Sequence, residues 1–409
     1  MTVTAPAATG AAGVLAPLLR DLFGGEPPLR LRTWDGGSYG PADAPTVVLR
    51  SPRALRRVLW SPGELGLARA YVTGELDVEG DLADGLRRVR EAVAGGPGAA
   101  RPRVDRVRAV RALLRLLGMH SVIGRPPAPP ATEARLGGRP HSRVRDRAAI
   151  SHHYDLSNDF YALILDGSMA YSSAFFEPGD TLADAQRRKL DMICRKLRLE
   201  PGMRLLDVGC GWGSLVLHAA REYGVSATGA TLSGEQKAFV ESRSAGLDVT
   251  VRLQDYRDVA DGPYDAIGSV EMGEHVGRDN YPLYASALHR LVRPGGRVLV
   301  QQMSRGAGHP GGGPFIETYI APDMHMRPVG ATIALLEAPG LTFEHAEAMG
   351  EHYVRTVREW HRTFESRYAE AVALVGEEMT RVWRLYLVGG ALAFEQGRMD
   401  VHQVLLRRP

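Results

Sequence analysis

Two cysteines in 409 residues, Cys194 and Cys210, are too few for a disulfide framework or a four-thiolate zinc site, and such usage fits a reducing compartment. Long apolar runs are missing as well. The opening "MTVTAPAATGAAGVLAPLL" is small and apolar but has no basic region ahead of it. Arg20 and Asp21 then come too soon for a signal peptide or a spanning helix. It reads as a disordered tip running into a helix, on a cytoplasmic protein. Excess charge of one sign is also absent: the formal net charge is +3, which excludes nucleic-acid binding by bulk charge and leaves only local basic surface. What is present, 44% hydrophobic and 24% charged residues, is the balance of a globular chain long enough for at least two cores.

Residues 1–120 carry mixed signals. There is a helix near "LAPLLRDLF", strands at "LRLRTW" and "TVVLR", and a helix "SPRALRRVLW" opened by Ser51 and Pro52. Two helices split at "TGELDVEGD" follow, so this part reads as a small α+β domain. Near its end Arg101, Arg108, Arg111 and Arg115 share one helical side, with Val107, Val110, Leu113, Leu114 and Leu117 on another. That basic amphipathic pattern is either a surface helix packed on its own domain or a membrane contact. Residues 121–145, rich in proline, arginine and glycine, read as a linker. From 146 to 409 strands such as "MRLLDVG", "VSATGAT" and "YDAIGSV" alternate with helices, and further helices follow from about Gly330. Alternation of this kind implies a doubly wound, mostly parallel, Rossmann-like α/β sheet with helical additions.

"LLDVGCGWGS" places Asp207 ahead of Gly209, Gly211 and Gly213 at the first strand-to-helix turn, where a ligand approaches backbone that side chains would block. A dinucleotide fingerprint needs glycine where this chain has Ser214, so NAD and FAD are disfavoured. The loop resembles motif I of class I S-adenosylmethionine-dependent methyltransferases. Members of that superfamily hold the ribose hydroxyls with an acid at the end of the second strand, and here it is missing. "GATLSGEQ" offers Thr231 and Gln236 instead, and "QDYRD" offers Asp255 and Tyr256 to the adenine.

With "HHYDLSNDFYALIL", "MAYSSAFFE", "TLADAQRRKLDMICRKL" and "EMGEHVG", these motifs resemble the cyclopropane-fatty-acyl-phospholipid synthase family from about Ser142 to the end. "LGLARAYVTGELDVEGDL" is similar to that family's N-terminal lipid-associated domain. The resemblance implies methyl transfer from S-adenosylmethionine to a cis double bond in an acyl chain of a membrane phospholipid. It also implies a peripheral position on the inner membrane face, with Tyr171 and Ser172 beside the cofactor. The first step needs no base, because an alkene has no proton to lose; alignment supplies much of the rate. The resulting carbocation must be kept from water, faced by π systems or negative charge, and then deprotonated. Tyr171, Phe175, Phe176, Tyr353 and Trp360 are candidate aromatic walls, although such a residue taken alone is more often ordinary core.

In the family the base is a bicarbonate held by cysteine, glutamate, histidine and tyrosine. Glu274 and Tyr353 match two of these, the cysteine falls on Ser173, and the histidine falls on Gln301. A second family cysteine falls on Gly390, which removes covalent thiol catalysis. Ser173 and Gln301 can still donate hydrogen bonds to an anion, which leaves bound bicarbonate open as the base here, but Gln301 cannot titrate or carry charge. Glu271 stands where many relatives have glycine. It is either a solvated strand-end carboxylate or a second acid that decides where the cation sits and which proton leaves. Together with "FIETYIAPDMHMRPVG", it directs the expectation to a 10-methylene, tuberculostearic-type product, with a cyclopropane as the alternative. A methyl branch implies a partner reductase, and the sequence leaves a homo-oligomer open. His141, His152 and His153 match no zinc spacing, and Met324, His325 and Met326 read as packing, so no metal is expected. A methyltransferase of soluble small molecules and a non-enzymatic lipid binder are the competing functions.

Overall fold

The computed structural model describes residues 8–94, 114–115, 124–154, 156–309 and 311–409. The N-terminal tip and most of the basic segment Arg101–Leu117 lie outside the described residues. Two compact units emerge: Met1–Glu133 with Glu377–Gly389, and Ala134–Gly376 with Gly390–Pro409. The division at Glu133 falls inside the Pro/Arg/Gly-rich segment. The stretch 377–389, read from sequence as part of the C-terminal domain, groups with the first unit instead.

In the first unit β1 (Arg30–Arg32), β2 (Ser38–Tyr39), β3 (Thr46–Leu49) and β4 (Leu76–Glu79) form a sheet in the order β2-β1-β3-β4. Helices α1 (Gly10–Phe23), α2 (Pro52–Trp60), α3 (Glu64–Val72) and α4 (Leu82–Ala94) complete it. Ser51 caps α2, its hydroxyl accepting from the Arg53 N–H at 3.2 Å, and Pro52 sits in the first turn where no N–H is required. The segment "TGELDVEGD" contains β4, which pairs antiparallel with β3. Arg381 explains why 377–389 belongs here. Its buried guanidinium donates to the Tyr71 carbonyl at 2.6 Å and the Leu76 carbonyl at 3.0 Å, and pairs with Asp77 at 3.1 Å.

The second unit holds seven strands: β5 (Arg204–Val208), β6 (Ser226–Thr231), β7 (Val249–Leu253), β8 (Tyr264–Val270), β9 (Val292–Arg305), β10 (Thr342–Ala348) and β11 (Met399–Arg407). Their order is β10-β11-β9-β8-β5-β6-β7. Strands β5 to β9 pair in parallel, and β11 runs antiparallel between β9 and β10. The helices are α5 (Arg143–Tyr154), α6 (Asn158–Ile164), α7 (Leu182–Leu197), α8 (Ser214–Tyr223), α9 (Gly234–Arg243), α10 (Tyr281–Leu291), α11 (Val329–Glu337), α12 (Gly350–Ser366) and α13 (Tyr368–Glu395), the last interrupted at Gly376, after which its stretch 377–389 belongs to the first unit.

Successive strand residues face opposite layers, and both layers are apolar. Leu205, Ala266, Leu299 and Leu405 pack against α7 and α8. Leu206, Ile267, Val298, Val300 and Val404 pack against α10 and α11. The sheet is therefore covered on both faces, and ligands can reach it only at the strand ends. The antiparallel pair β10–β11 is a departure from the sequence reading, which had only helices after Gly330. Among the described residues no helix is long and apolar enough to cross a membrane.

Candidate active site

A cleft in the second unit opens at the carboxyl ends of β5, β6 and β8, where the strand order reverses between β5 and β8. Tyr171, Ser172, Asp207, Gly209, Gly211, Thr231, Gln236, Asp255, Tyr256 and Glu271 all line it. Gly213 does not. The three loop glycines have positive φ (82°, 53° and 79°) but different tasks. A Cβ on Gly209 would come 2.7 Å from Met272, and one on Gly213, the N-cap of α8, 2.7 Å from Val240. Gly211 has open space around it. Only Gly209 and Gly211 shape the cleft, while Gly213 brings helix and helix together.

Beyond the loop, polar side chains are tied to one another. The Thr231 hydroxyl donates to Gln236 Oε1 at 2.7 Å, and both residues are buried. Asp255 accepts from the Arg257 backbone N–H at 3.0 Å, Nε at 2.8 Å and Nη2 at 2.6 Å. Burial pushes the Asp255 carboxyl up, but Arg257 outweighs it and holds the group below its ordinary value. Arg257 also reaches Asp146 of α5 at 3.1 Å, tying that helix to the cleft wall. The side chains of His152 and His153 lie outside the described residues. Tyr256 stands edge-on to Tyr284, 5.5 Å between centroids.

Asp207 closes the floor. It is 2% exposed, its Oδ1 has no donor, and burial pushes its carboxyl up to about 7, against the pull of Lys189. Lys189 comes from α7, whose phase is set by a reciprocal cap between Thr181 and Asp184. The same face brings in Gln186, whose amide donates to the Ala170 carbonyl at 3.2 Å and the Ser172 carbonyl at 2.9 Å, fixing the "AYSS" turn.

Tyr171 opens a row of aromatic rings. It packs 5.5 Å from Tyr161 and 5.3 Å from Trp360, and Trp360 meets Tyr353 at 6.0 Å. Tyr353 continues to Phe394 at 4.6 Å. Phe175 and Phe176 belong to a different contact set: Phe175 stacks on His352 at 4.2 Å, and Arg355 lies over Phe176 at 4.1 Å.

The end of β8 carries the acids. Glu271 has φ 52°, a conformation that favours glycine, and holding a glutamate there costs about 1–2 kcal/mol. Its Oε1 accepts from Gln301 Nε2 at 3.0 Å, Gln301 Oε1 accepts from Gln403 Nε2 at 2.9 Å, and Gln403 Oε1 accepts from Lys196 Nζ at 2.7 Å. Lys196 is ion-paired with Glu347. Glu274 is fully buried, and neither of its oxygens nor Glu271 Oε2 has a donor. Burial pushes both carboxyls up, Glu274 further because it also faces Glu271. Two facing acids with three oxygens lacking donors favour sharing one proton, which supplies a hydrogen bond between them. The Ser173 hydroxyl turns away to the Ala174 carbonyl at 3.1 Å, while its backbone N–H favours the charged form of Glu271. Glu271, Glu274, Gln301 and Ser173 are thus assembled, and Tyr353 joins through the aromatic row. The segment of Met324, His325 and Met326 covers the acid loop, the His325 N–H donating to the Glu274 carbonyl at 2.8 Å. Among the described residues no group of three or more His, Cys, Asp and Glu is arranged to hold a metal. His275 also lines the cleft, and burial lowers it to about 4.

Lys189, Asp146 and Arg257 were not singled out from sequence. The signal for Lys189 was there: the Thr-x-x-Asp cap fixes the phase of α7 and turns Gln186 and Lys189 inward together.

The residues present fit an adenosyl amino acid. Open space lies over Gly211, hydrogen-bonding pairs line one side, and an orphaned carboxylate oxygen awaits a cation at Asp207. A family model described as mycolic acid cyclopropane synthetase matches residues 141–404. A probable fatty acid methyltransferase of Mycobacterium tuberculosis is 39% identical over 93% of this chain and 91% of its own. The tuberculostearic acid methyltransferase of the same organism is 35% identical over 93% and 88%. Among solved structures, a mycolic acid cyclopropane synthase complexed with SAH and CTAB superposes with a TM-score of 0.61 and 33% identity, covering 64% of this chain and 98% of that one. Sheet order, glycine loop and these matches together show that the chain belongs to the mycolic acid cyclopropane synthetase family and is an S-adenosylmethionine-dependent methyltransferase.

Proposed function

We propose that the enzyme methylates the cis double bond of an unsaturated acyl chain in a membrane phospholipid and releases a 10-methylene product. The observation that carries this reading is the pairing of buried Glu274 with half-buried Glu271, the latter set on a glycine-type backbone and supported by Gln301. Bound S-adenosylmethionine supplies an electrophilic methyl carbon. Tyr171, which lines the cleft, presents its ring to the carbocation left on the acyl chain, and the buried rings of Trp360 and Tyr353 behind it keep water away. Glu271, held in its charged form by Gln301, takes a proton from the new methyl group, and protonated Glu274 donates to it. A negative charge fixed beside the cation holds it long enough for a hydride to move to the neighbouring carbon before that proton leaves. Loss of the proton without that shift closes a cyclopropane, the second reading, favoured by the solved relative's name.

Under this proposal Glu271 does the work of the family's bicarbonate, since a further anion beside two facing acids with so few donors is unfavourable. A partner reductase would convert the methylene to a methyl branch. Access to phospholipid places the protein at the cytoplasmic membrane face, with the first unit as the lipid-associated part.

The test is expression in a host with oleoyl lipids and no such reductase, followed by fatty-acid mass spectrometry with ozonolysis, because the two products are isomers. Wild type is expected to give methylene-cleavage fragments. Glu271→Gly, which relieves the strained backbone, should lose them. Cyclopropane alone from wild type would overturn the product, and unmodified lipids together with methylated soluble acceptors would overturn the substrate.

A further inference from the structure

This chain contains 50 basic side chains, and only three are lysines: Lys189, Lys196 and Lys237. Lys189 is 1% exposed and lines the cleft. Lysine is almost never fully buried unless paired. Here the ammonium has one hydrogen-bond partner, Ser172 Oγ at 2.8 Å, and no carboxylate at ion-pair distance among the described residues. Burial pulls it down to about 8, while Asp166, Glu271 and Asp207 attract it from further off. An ammonium has three donors, so two are left without acceptors in the cleft wall.

Asp207 is its counterpart. It is buried in the same floor and lacks a donor on Oδ1. A donor-only cation and an acceptor-only anion, both incompletely partnered in one cleft, complement a zwitterion. The methionyl end of the cofactor is such a group, with an α-carboxylate and an α-ammonium on one carbon. The adenosyl end carries no charge and suits the paired polar groups at Thr231 and Asp255.

We propose that Lys189 receives the α-carboxylate of the cofactor, steadied by Ser172, while Asp207 faces the α-ammonium. The Ser172 hydroxyl accepts from Lys189, so its own hydrogen is directed to the same carboxylate. Two charge-assisted contacts then fix the amino-acid tail, and with it the direction in which the sulfonium presents its methyl group. Gln186, one turn earlier on α7, holds the Ser172 carbonyl and keeps the hydroxyl in register.

Calorimetry with three ligands tests this on the intact protein: S-adenosylhomocysteine, its decarboxylated analogue, and methylthioadenosine, which lacks the whole amino-acid end. Wild type is expected to prefer S-adenosylhomocysteine over the decarboxylated analogue by about 30-fold or more, the range of a charge-assisted pair. Lys189→Met should collapse that preference to about threefold or less while leaving methylthioadenosine affinity unchanged. Lys189→Arg should recover part of it. Should the methionine variant fail to fold, Lys189→Gln keeps a donor to Ser172 and removes the charge, and the same collapse is expected. An intact preference in a folded variant would overturn the assignment. So would an equal loss for all three ligands, which would make Lys189 a structural residue.

Discussion

The two sides of the cleft differ in how their polar groups are satisfied. On the side of β6 and β7, Thr231 is bonded to Gln236 and Asp255 to Arg257 before any ligand arrives. On the side of β8, Glu271 and Glu274 face each other with three oxygens lacking donors. The first side is a finished surface that recognises shape and hydrogen bonds. The second stores unfavourable charge, which is useful only where charge is about to appear on a substrate. Under the proposed function, binding falls to the first side and proton removal to the second, and the two should respond separately to mutation.

The largest separation is expected for Glu271→Gln. Turnover should fall by about 10²- to 10⁴-fold, the range for a lost general base, with S-adenosylhomocysteine affinity unchanged within about threefold. Glu274→Gln should be milder, since an amide can still donate to Glu271. Equal losses of affinity and turnover, by calorimetry and lipid methylation, would merge the two sides.

Asp207, between them, gives the next effect. Its folded pKa of about 7 lies above the ordinary 3.8, so between about pH 4 and pH 7 the folded state binds more protons than the unfolded one. The Asp207 contribution to the stability of the ligand-free protein should therefore fall as pH rises through that window, Glu271 and Glu274 adding the same sign. His275, lowered by burial to about 4, contributes the opposite slope below about pH 6.5, so the Asp207 share is read from the difference between wild type and Asp207→Asn. Asp207→Asn should gain melting temperature relative to wild type as pH rises from about 5 to about 7.5, and parallel melting curves for the two proteins would contradict the burial of an unpaired acid.

Thr231→Val is the smallest step. Removing one hydroxyl costs about 0.5–1.5 kcal/mol, a roughly three- to tenfold loss of cofactor affinity, with turnover at saturation unchanged. A changed turnover number would tie the finished side to the chemistry.

How much of this the sequence disclosed depends on how local each signal was. The glycine loop and the motifs at Thr231, Asp255 and Glu274 are short, and their spacing fixes which strand end they occupy. The β10 strand "TFEHAEA" has no apolar alternation, because it is a mostly exposed edge, so the closing pair β10–β11 was not legible. The helical pattern runs through Gly376 without a break in hydrophobicity, yet the backbone turns there at φ 78° and the chain changes units. The strain at Glu271 could be suspected only from the glycine of its relatives; the dihedral angle gives that substitution its physical meaning. Lys189 was hidden because a helix was recognised without its phase.

The glutamine pair behind Glu271 has a direction. Either amide, taken alone, could sit with oxygen and nitrogen exchanged. Lys196 can only donate, so Gln403 must turn its oxygen to it and its nitrogen to Gln301. Gln301 is then obliged to meet Glu271 nitrogen first. A half-buried lysine on α7 thereby settles, through β11 and β9, which of two adjacent acids on the β8 loop keeps the negative charge and which keeps the proton.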